Sequence, residues 1–77
     1  MLKDLLIYIA QNLVDNKEAV KVTEVEENGV INLTLEVDSA DMGKVIGRQG
    51  RIAKAIRTVI KSVAIRENIK VNVEISG

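Results

Sequence analysis

Cysteine, histidine, proline, tryptophan and phenylalanine are all missing from these 77 residues, and Tyr8 is the only aromatic side chain. Without thiolate and imidazole groups, the chain has no disulfides, no usual zinc ligands and no histidine to serve as a general base. The serines, which are Ser39, Ser62 and Ser76, therefore lack the partner that would make one of them a nucleophile. We expect no catalytic activity, no cofactor and no resident metal ion.

Long apolar runs are absent as well. No segment approaches the roughly 20 apolar residues that a membrane-spanning helix needs. The apolar start of the chain is interrupted by Asp4, Gln11 and Asn12, and no small-residue cleavage site of a signal peptide follows. These features predict a protein of the cytoplasm with no membrane partner.

The chain is short enough that residues 1–77 are expected to form one domain around one core. A domain of this size buries only roughly 60% of the surface that its unfolded chain would expose. Apolar residues make up 47% of the sequence, and nearly all of them have to enter that core. Association with a second chain would therefore add stability to a thin margin.

Basic and acidic side chains balance over the whole chain but are separated along it. Residues 1–42 carry three basic and nine acidic side chains, whereas residues 43–66 carry seven basic ones and no acid. The seven are Lys44, Arg48, Arg51, Lys54, Arg57, Lys61 and Arg66. Because a polyanion responds to a local patch rather than to net charge, this segment predicts a nucleic-acid contact. The simpler reading is a solvated basic helix face, which is the usual meaning of helical charges.

The first half of the chain has the apolar spacing of one helix and a hairpin. Residues 2–15 repeat apolar side chains on one helical face. Residues 20–26 are rich in valine, residues 30–37 alternate apolar and polar side chains, and Asn28-Gly29 between them is a tight-turn signal. These segments predict a helix followed by a β-hairpin.

The second half adds two helices and a strand. Asp38 or Ser39 is suited to cap a short helix over residues 40–46, and residues 51–67 form a longer amphipathic helix. The apolar side of the longer helix consists of Ile52, Ile56, Val59, Ile60 and Val63, and the opposite, basic side of Arg51, Lys54, Arg57 and Lys61. Residues 69–75 alternate again and predict the last strand. The order α-β-β-α-α-β and the single apolar face of each element predict an α+β fold of two layers, with three helices on one face of a three-stranded sheet.

The connector between the last two helices reads Gly47-Arg48-Gln49-Gly50. Glycines let the backbone turn tightly and let another chain approach closely, while Arg48 and Gln49 carry charge and hydrogen-bond donors outward. The helix that follows adds a positive dipole end and unpaired N–H groups at the same point. A phosphodiester backbone is the expected ligand, although a glycine at such a connector can be no more than a helix cap.

Residues 43–57, taken together with the order of the elements, resemble a type II KH domain. The motif is Gly43-Lys44-Val45-Ile46-Gly47-Arg48-Gln49-Gly50-Arg51-Ile52-Ala53-Lys54-Ala55-Ile56-Arg57. The resemblance covers essentially the whole chain, whose length is that of the small stand-alone bacterial KH proteins. It implies a mixed sheet in which the strand at 30–37 is central, antiparallel to the first strand and parallel to the last. It also implies that the loop clamps the backbone of about four nucleotides of single-stranded RNA, with the bases in an apolar groove.

The KH resemblance assigns RNA-binding roles to ten residues around the loop. Close approach of the ligand and contact with its phosphates are assigned to Gly47, Arg48, Gln49 and Gly50. Additional positive charge is assigned to Lys44, Arg51 and Lys54, and the apolar groove to Val45, Ile46 and Ile52. The three apolar residues could equally belong to the core. Tyr8 lies far from the loop in sequence, so stacking on aromatic rings is not expected to drive binding.

The resemblance leaves two roles open. In the first, the chain is a non-catalytic RNA chaperone or post-transcriptional regulator that binds single-stranded RNA as a dimer, in association with transcripts or ribosomes. In the second, it is chiefly a protein-interaction module that forms a homodimer or a heterodimer with a larger KH-containing protein, and RNA binding is secondary. Both are compatible, because a dimer would present two weak sites to one RNA and gain avidity.

Overall fold

The computed structural model describes residues 1–76 and confirms the order α-β-β-α-α-β and the α+β class. Gly77, the last residue of the predicted domain, lies outside the described residues. The helices are α1 (Leu2–Leu13), α2 (Met42–Ile46) and α3 (Arg51–Arg66), and the strands are β1 (Lys21–Glu27), β2 (Val30–Glu36) and β3 (Lys70–Ser76). Within residues 1–76, no helix has the length and apolar content to cross a membrane.

The sheet has the order β1-β2-β3. Strand β2 is central, antiparallel to β1 with Val22 opposite Leu35, and parallel to β3 with Leu33 opposite Val73. Asn28 and Gly29 have φ of 54° and 78°, which is the left-handed backbone that a tight hairpin turn requires. The mixed pairing implied by the KH resemblance is therefore confirmed.

The hydrophobic core lies between the sheet and the three helices. Its largest fully buried side chains are Leu6, Leu33, Leu35, Val45 and Ile60, which come from α1, β2, α2 and α3. Full burial of such side chains contributes on the order of 1.5–3 kcal/mol each. The core thus fixes α2 and α3, and with them the connector, against the central strand.

Helix α1 ends at Leu13, two residues before the predicted end at residue 15. Val14 is extended, with φ −99° and ψ 160°. The next two backbone N–H groups, of Asp15 and Asn16, donate to the carboxylate of Asp41 at 3.3 and 3.0 Å. The carboxylate of Asp41, which is remote in sequence, therefore accepts the hydrogen bonds that backbone carbonyls would have accepted if the helix had continued.

The second helix is also shorter than predicted. Residues 39–41 form a 3₁₀ turn rather than α-helix, and α2 proper begins at Met42. Asp38 caps this turn, since its Oδ1 accepts from the backbone N–H of Ala40 at 2.9 Å. The cap predicted for Asp38 or Ser39 therefore belongs to Asp38.

Helix α3 is tied to the edge of the sheet by Arg57. Its Nε donates to the backbone carbonyl of Val73 at 3.1 Å, and the side chain is half-buried rather than turned outward as predicted. Strand β3 is an edge strand, whose unpaired backbone groups are otherwise a template for another chain. Arg57 therefore covers the middle of this edge and orients one side of α3 toward it.

Candidate nucleic-acid interface

The α2–α3 connector is a 3₁₀ turn at Arg48–Gly50 framed by unusual backbone angles. Gly47 has φ 75° and ψ 178°, a region that is essentially restricted to glycine. Gln49 and Gly50 both lie in the left-handed region, with φ of 57° and 72°. The predicted tight turn is thus formed by positive φ at three of its four residues, all except Arg48, and the Arg48 and Gln49 side chains are exposed to solvent.

The two glycines of the loop, Gly47 and Gly50, are required for different structural reasons. A Cβ on Gly47 would lie 2.6 Å from Cγ1 of Ile52, so the first turn of α3 packs directly on this backbone. A Cβ on Gly50 would meet no atom within 4 Å. Gly47 is therefore required by internal packing, while the backbone at Gly50 is open to an approaching ligand.

Four exposed polar side chains surround this opening: Arg48, Gln49, Arg51 and Lys54. In the described part of the chain, ion pairs involve only Lys44 and the N-terminal amine as cations. The N-terminus of α3 has no side-chain cap, so its positive dipole end faces the same loop. The arrangement concentrates unpaired positive charge at one point.

Lys44, unlike the four side chains at the opening, is paired with two carboxylates. Its Nζ donates to Oδ2 of Asp15 at 2.8 Å and to Oδ1 of the buried Asp41 at 3.1 Å. These hydrogen bonds, that to Asp15 first, raise the pKa of Lys44. The two carboxylates offset its charge, so its observed contacts tie the end of α1 to the start of α2.

Asp41 is the centre of this tether and the one buried charged residue of the described chain. The backbone N–H of Asn16 is the main cause that lowers the pKa of Asp41 below the usual 3.8, and Lys44 lowers it further. A carboxyl whose folded pKa is depressed stabilises the fold above its unfolded pKa, and this contribution is lost as the pH falls through the folded value. The hydrogen bonds of Asp41 to Asp15, Asn16 and Lys44, which hold the end of α1 to the start of α2, should therefore weaken in acid below about pH 4.

Replacing Asp41 by Asn should lower the midpoint of thermal unfolding at neutral pH by about 5 °C or more, because the network loses its negative charge and one of its two acceptor oxygens, in whose place an NH₂ donor meets a backbone N–H or the Lys44 ammonium. The variant should also lose less stability than the original chain between about pH 6 and about pH 3. Circular dichroism melts at each pH measure both effects. Asp4→Asn, at an exposed carboxyl 4.0 Å from the N-terminal amine, is the control and should follow the original chain. Identical acid profiles for all three proteins would contradict this role of Asp41.

Of the three residues predicted for an apolar groove, one lies in the core and two are half-buried. Val45 is fully buried and is a core residue, which can support the loop but cannot touch a ligand. Ile46 and Ile52 are half-buried against that core. Ile52 also lines a groove on the α1 side of α3, described next.

An apolar groove of about 490 Å³ runs between α1 and α3. Its lining includes three exposed apolar or aromatic side chains, Tyr8, Leu13 and Val59, and it reaches Arg51 and Ile52 next to the loop. Val59 was predicted on the core side of α3, but 46% of it is exposed. Tyr8 is remote from the loop in sequence, yet it shares this groove with Arg51. The only sequence signal for this groove on α3 was the presence of Ala55 and Val59. With these two residues, the apolar side of α3 is wider than the surface that the core covers.

Known proteins of similar sequence are KH proteins. The family model for the KH domain of KhpA and KhpB matches residues 3–75. The RNA-binding protein KhpA of Clostridium perfringens is 60% identical over 74 residues, which cover 96% of this chain and 99% of that protein. The RNA-binding protein KhpA of Chlamydia trachomatis is 49% identical over 74 residues, covering 96% and 95% of the two chains. That of Aquifex aeolicus is 46% identical over 74 residues, covering 96% and 94%.

Proposed function

The chain belongs to the KhpA/KhpB family of KH domains, and from this premise we propose that it binds single-stranded RNA at the α2–α3 connector without catalysing a reaction. The observation that carries the proposal is the loop itself: an open glycine backbone at Gly50, flanked by exposed Arg48 and Gln49 and by no acidic side chain between residues 43 and 66. Similar proteins are named RNA-binding, which supports the ligand class.

In this proposal the ligand is gripped by its backbone. Arg48 and Gln49 donate to phosphate oxygens, and the open backbone at Gly50 leaves room for them, while Gly47 holds the turn against Ile52. Arg51 and Lys54 add positive field. A KH loop of this kind holds about four nucleotides. Val45 and Lys44 act from behind, since one is buried in the core and the other is paired with Asp15 and Asp41. Backbone contacts carry no sequence information, so low sequence specificity is expected.

A salt titration tests the proposal. If three or four phosphates are neutralised, the logarithm of the association constant for a single-stranded RNA should fall with the logarithm of salt concentration with a slope of roughly −2 to −3. Fluorescence anisotropy of a labelled oligonucleotide of mixed sequence gives this slope directly. A duplex of the same sequence is the control and should bind more weakly, because its bases are stacked and paired. Absence of binding at low salt would refute the proposal.

We also propose that the chain forms a homodimer through the α1–α3 groove. The lining of this groove carries no charge except Arg51, so a second copy of the same face meets no strong like-charge repulsion. The groove exposes three apolar or aromatic side chains, Tyr8, Leu13 and Val59, and such side chains suit a contact between two copies of the same surface. A dimer would present two loops to one RNA, which suits an RNA chaperone or post-transcriptional regulator acting on transcripts in the cytoplasm. The same face would serve a heterodimer with a larger KH-containing protein, or an assembly that associates with ribosomes.

Val59→Glu should convert the dimer to a monomer, with a dimer dissociation constant raised at least about tenfold, because a carboxylate would be buried at the centre of the contact. Sedimentation equilibrium measures the constant. Ile65→Glu is the matched control: it makes the same change of charge on the same helix, at a side chain that is 76% exposed and absent from the groove. A monomeric original chain, or a Val59→Glu variant that remains dimeric, would contradict the proposal.

A further inference from the structure

A second, smaller depression lies at the far end of α3 from the loop. It has a volume of about 270 Å³ and is lined by Lys61, Ala64, Ile65, Ile69, Lys70 and Val71. Asn68, with φ 58°, reverses the chain after α3, and the backbone N–H of Ile69 donates to the carbonyl of Ala64 at 2.8 Å. This turn fixes the last turns of α3 against the start of β3 and so shapes the depression.

The chemistry of the depression combines an apolar floor with two cations. Ile65 is 76% exposed, so its apolar surface is open to a ligand beside the two cations. Lys61 and Lys70 are both exposed, and neither forms an ion pair within residues 1–76. No acidic side chain lines the depression. The partial negative charge at the end of α3 accounts for one nearby lysine but not for the second.

The depression is continuous with the candidate interface at the loop. Lys54, Arg57 and Lys61 are spaced by three and four residues, so they follow one side of α3. The contact of Arg57 with Val73 shows that this side faces the edge of β3, where the depression also lies. A row of positive charge therefore leads from the loop along α3 to Lys61 and Lys70.

The length of this row corresponds to several nucleotides. Arg51 and Lys61 are ten residues apart, which is about 15 Å along a helix. At the spacing of about 3.4 Å per nucleotide along one strand of a duplex, this distance corresponds to about four nucleotides beyond those held at the loop. The apolar floor suits the face of a base, and the two lysines suit its flanking phosphates.

We propose that the depression formed by Lys61, Ile65, Ile69 and Lys70 is a second contact site for the same single-stranded RNA, so that the chain holds about eight nucleotides rather than four. This inference rests on the proposed RNA binding at the α2–α3 loop. The exposed Ile65 could contact a protein as well as a base. The two unpaired lysines, which continue the row of basic residues on α3, favour a polyanion.

The test compares RNA of two lengths in the Val59→Glu background, where a longer RNA cannot gain affinity by bridging the two loops of a dimer. The probes are a tetranucleotide and an octanucleotide of uridine. The octanucleotide should bind at least about tenfold more tightly than the tetranucleotide, since two further phosphate contacts and one base contact are made. Lys61→Gln/Lys70→Gln should abolish most of this gain and reduce the salt slope for the octanucleotide by about 1.4, while changing tetranucleotide binding less than about twofold.

Lys17→Gln/Lys21→Gln is the matched control, since it removes two exposed lysines from the acidic half of the chain, residues 1–42, and should leave the gain in affinity for the octanucleotide in place. Equal octanucleotide affinities for the Lys61→Gln/Lys70→Gln variant and its parent would overturn the second site alone, and would leave the depression as a protein-binding surface. Failure of the parent to bind either RNA would instead overturn both the second site and the proposed function.

Discussion

A variant carrying Arg48→Asp and Gln49→Asp is expected to bind single-stranded RNA at least about a hundredfold more weakly than the original chain. Charge-assisted hydrogen bonds contribute about 1.5–3 kcal/mol each, so the loss of two already accounts for this factor. The new carboxylates also repel the phosphates that the arginine and glutamine would have held. Anisotropy titrations at one fixed salt concentration measure the change.

The same variant should keep its fold. Both side chains are exposed, and position 49 has φ 57°, a left-handed conformation that aspartate tolerates better than most residues. The free energy of unfolding should therefore change by less than about 1 kcal/mol. Urea denaturation followed by circular dichroism would establish that a loss of binding is a property of the loop.

The matched control makes the same change of three charge units at two residues outside the loop. Lys3→Asp lies in the first turn of α1, where an acid is favourable, and Asn28→Asp preserves the Asx-Gly hairpin turn. Long-range repulsion alone would weaken binding equally in both variants. If the control loses as much affinity as the loop variant, or if the loop variant retains its affinity, RNA does not bind at Arg48 and Gln49.

The architecture could be predicted from the sequence because its signals are local. From Ile31 onward, strand β2 alternates apolar and polar residues, and Asn28-Gly29 is a strong turn signal, so the hairpin and its buried face follow from a few residues. The parallel pairing of β2 with β3 is a contact between segments about 40 residues apart. Periodicity does not contain it, and only the resemblance to KH domains supplied it.

The features that the sequence did not reveal are all long-range contacts of side chains. Asp41 reads as an ordinary surface acid near a helix start, and its hydrogen bonds to Asp15 and Asn16 exist only after α1 and α2 meet. Val59 lies on the apolar arc of α3, but the width of that arc does not say where coverage by α1 ends. The loop was found because its two glycines lie within four successive residues, whereas the groove beside it is built from two helices about 40 residues apart in the chain.

The strictest requirement of the fold at the loop is the glycine at position 47, and Gly47→Ala should lower the free energy of unfolding by about 3 kcal/mol. A residue with a side chain pays about 1–3 kcal/mol of backbone strain to adopt the φ and ψ of Gly47. In addition, the new Cβ would stand 2.6 Å from Cγ1 and 2.9 Å from Cδ1 of Ile52, so the first turn of α3 has to shift. Gly50→Ala is the matched control: with φ 72° but no atom within 4 Å of its Cβ, it should cost only about 1–2 kcal/mol.

A double-mutant cycle separates the two causes of strain at Gly47. Ile52→Ala removes Cγ1 and Cδ1, the two atoms that a Cβ at position 47 would strike most closely. In that background, Gly47→Ala should cost about 1 kcal/mol less than in the original chain, because the repulsion is relieved while the backbone strain remains. Urea unfolding of the four proteins gives the coupling energy. A cost at Gly47 no larger than that at Gly50, or no coupling to Ile52, would mean that the loop is held by something other than this close contact between its backbone and the first turn of α3.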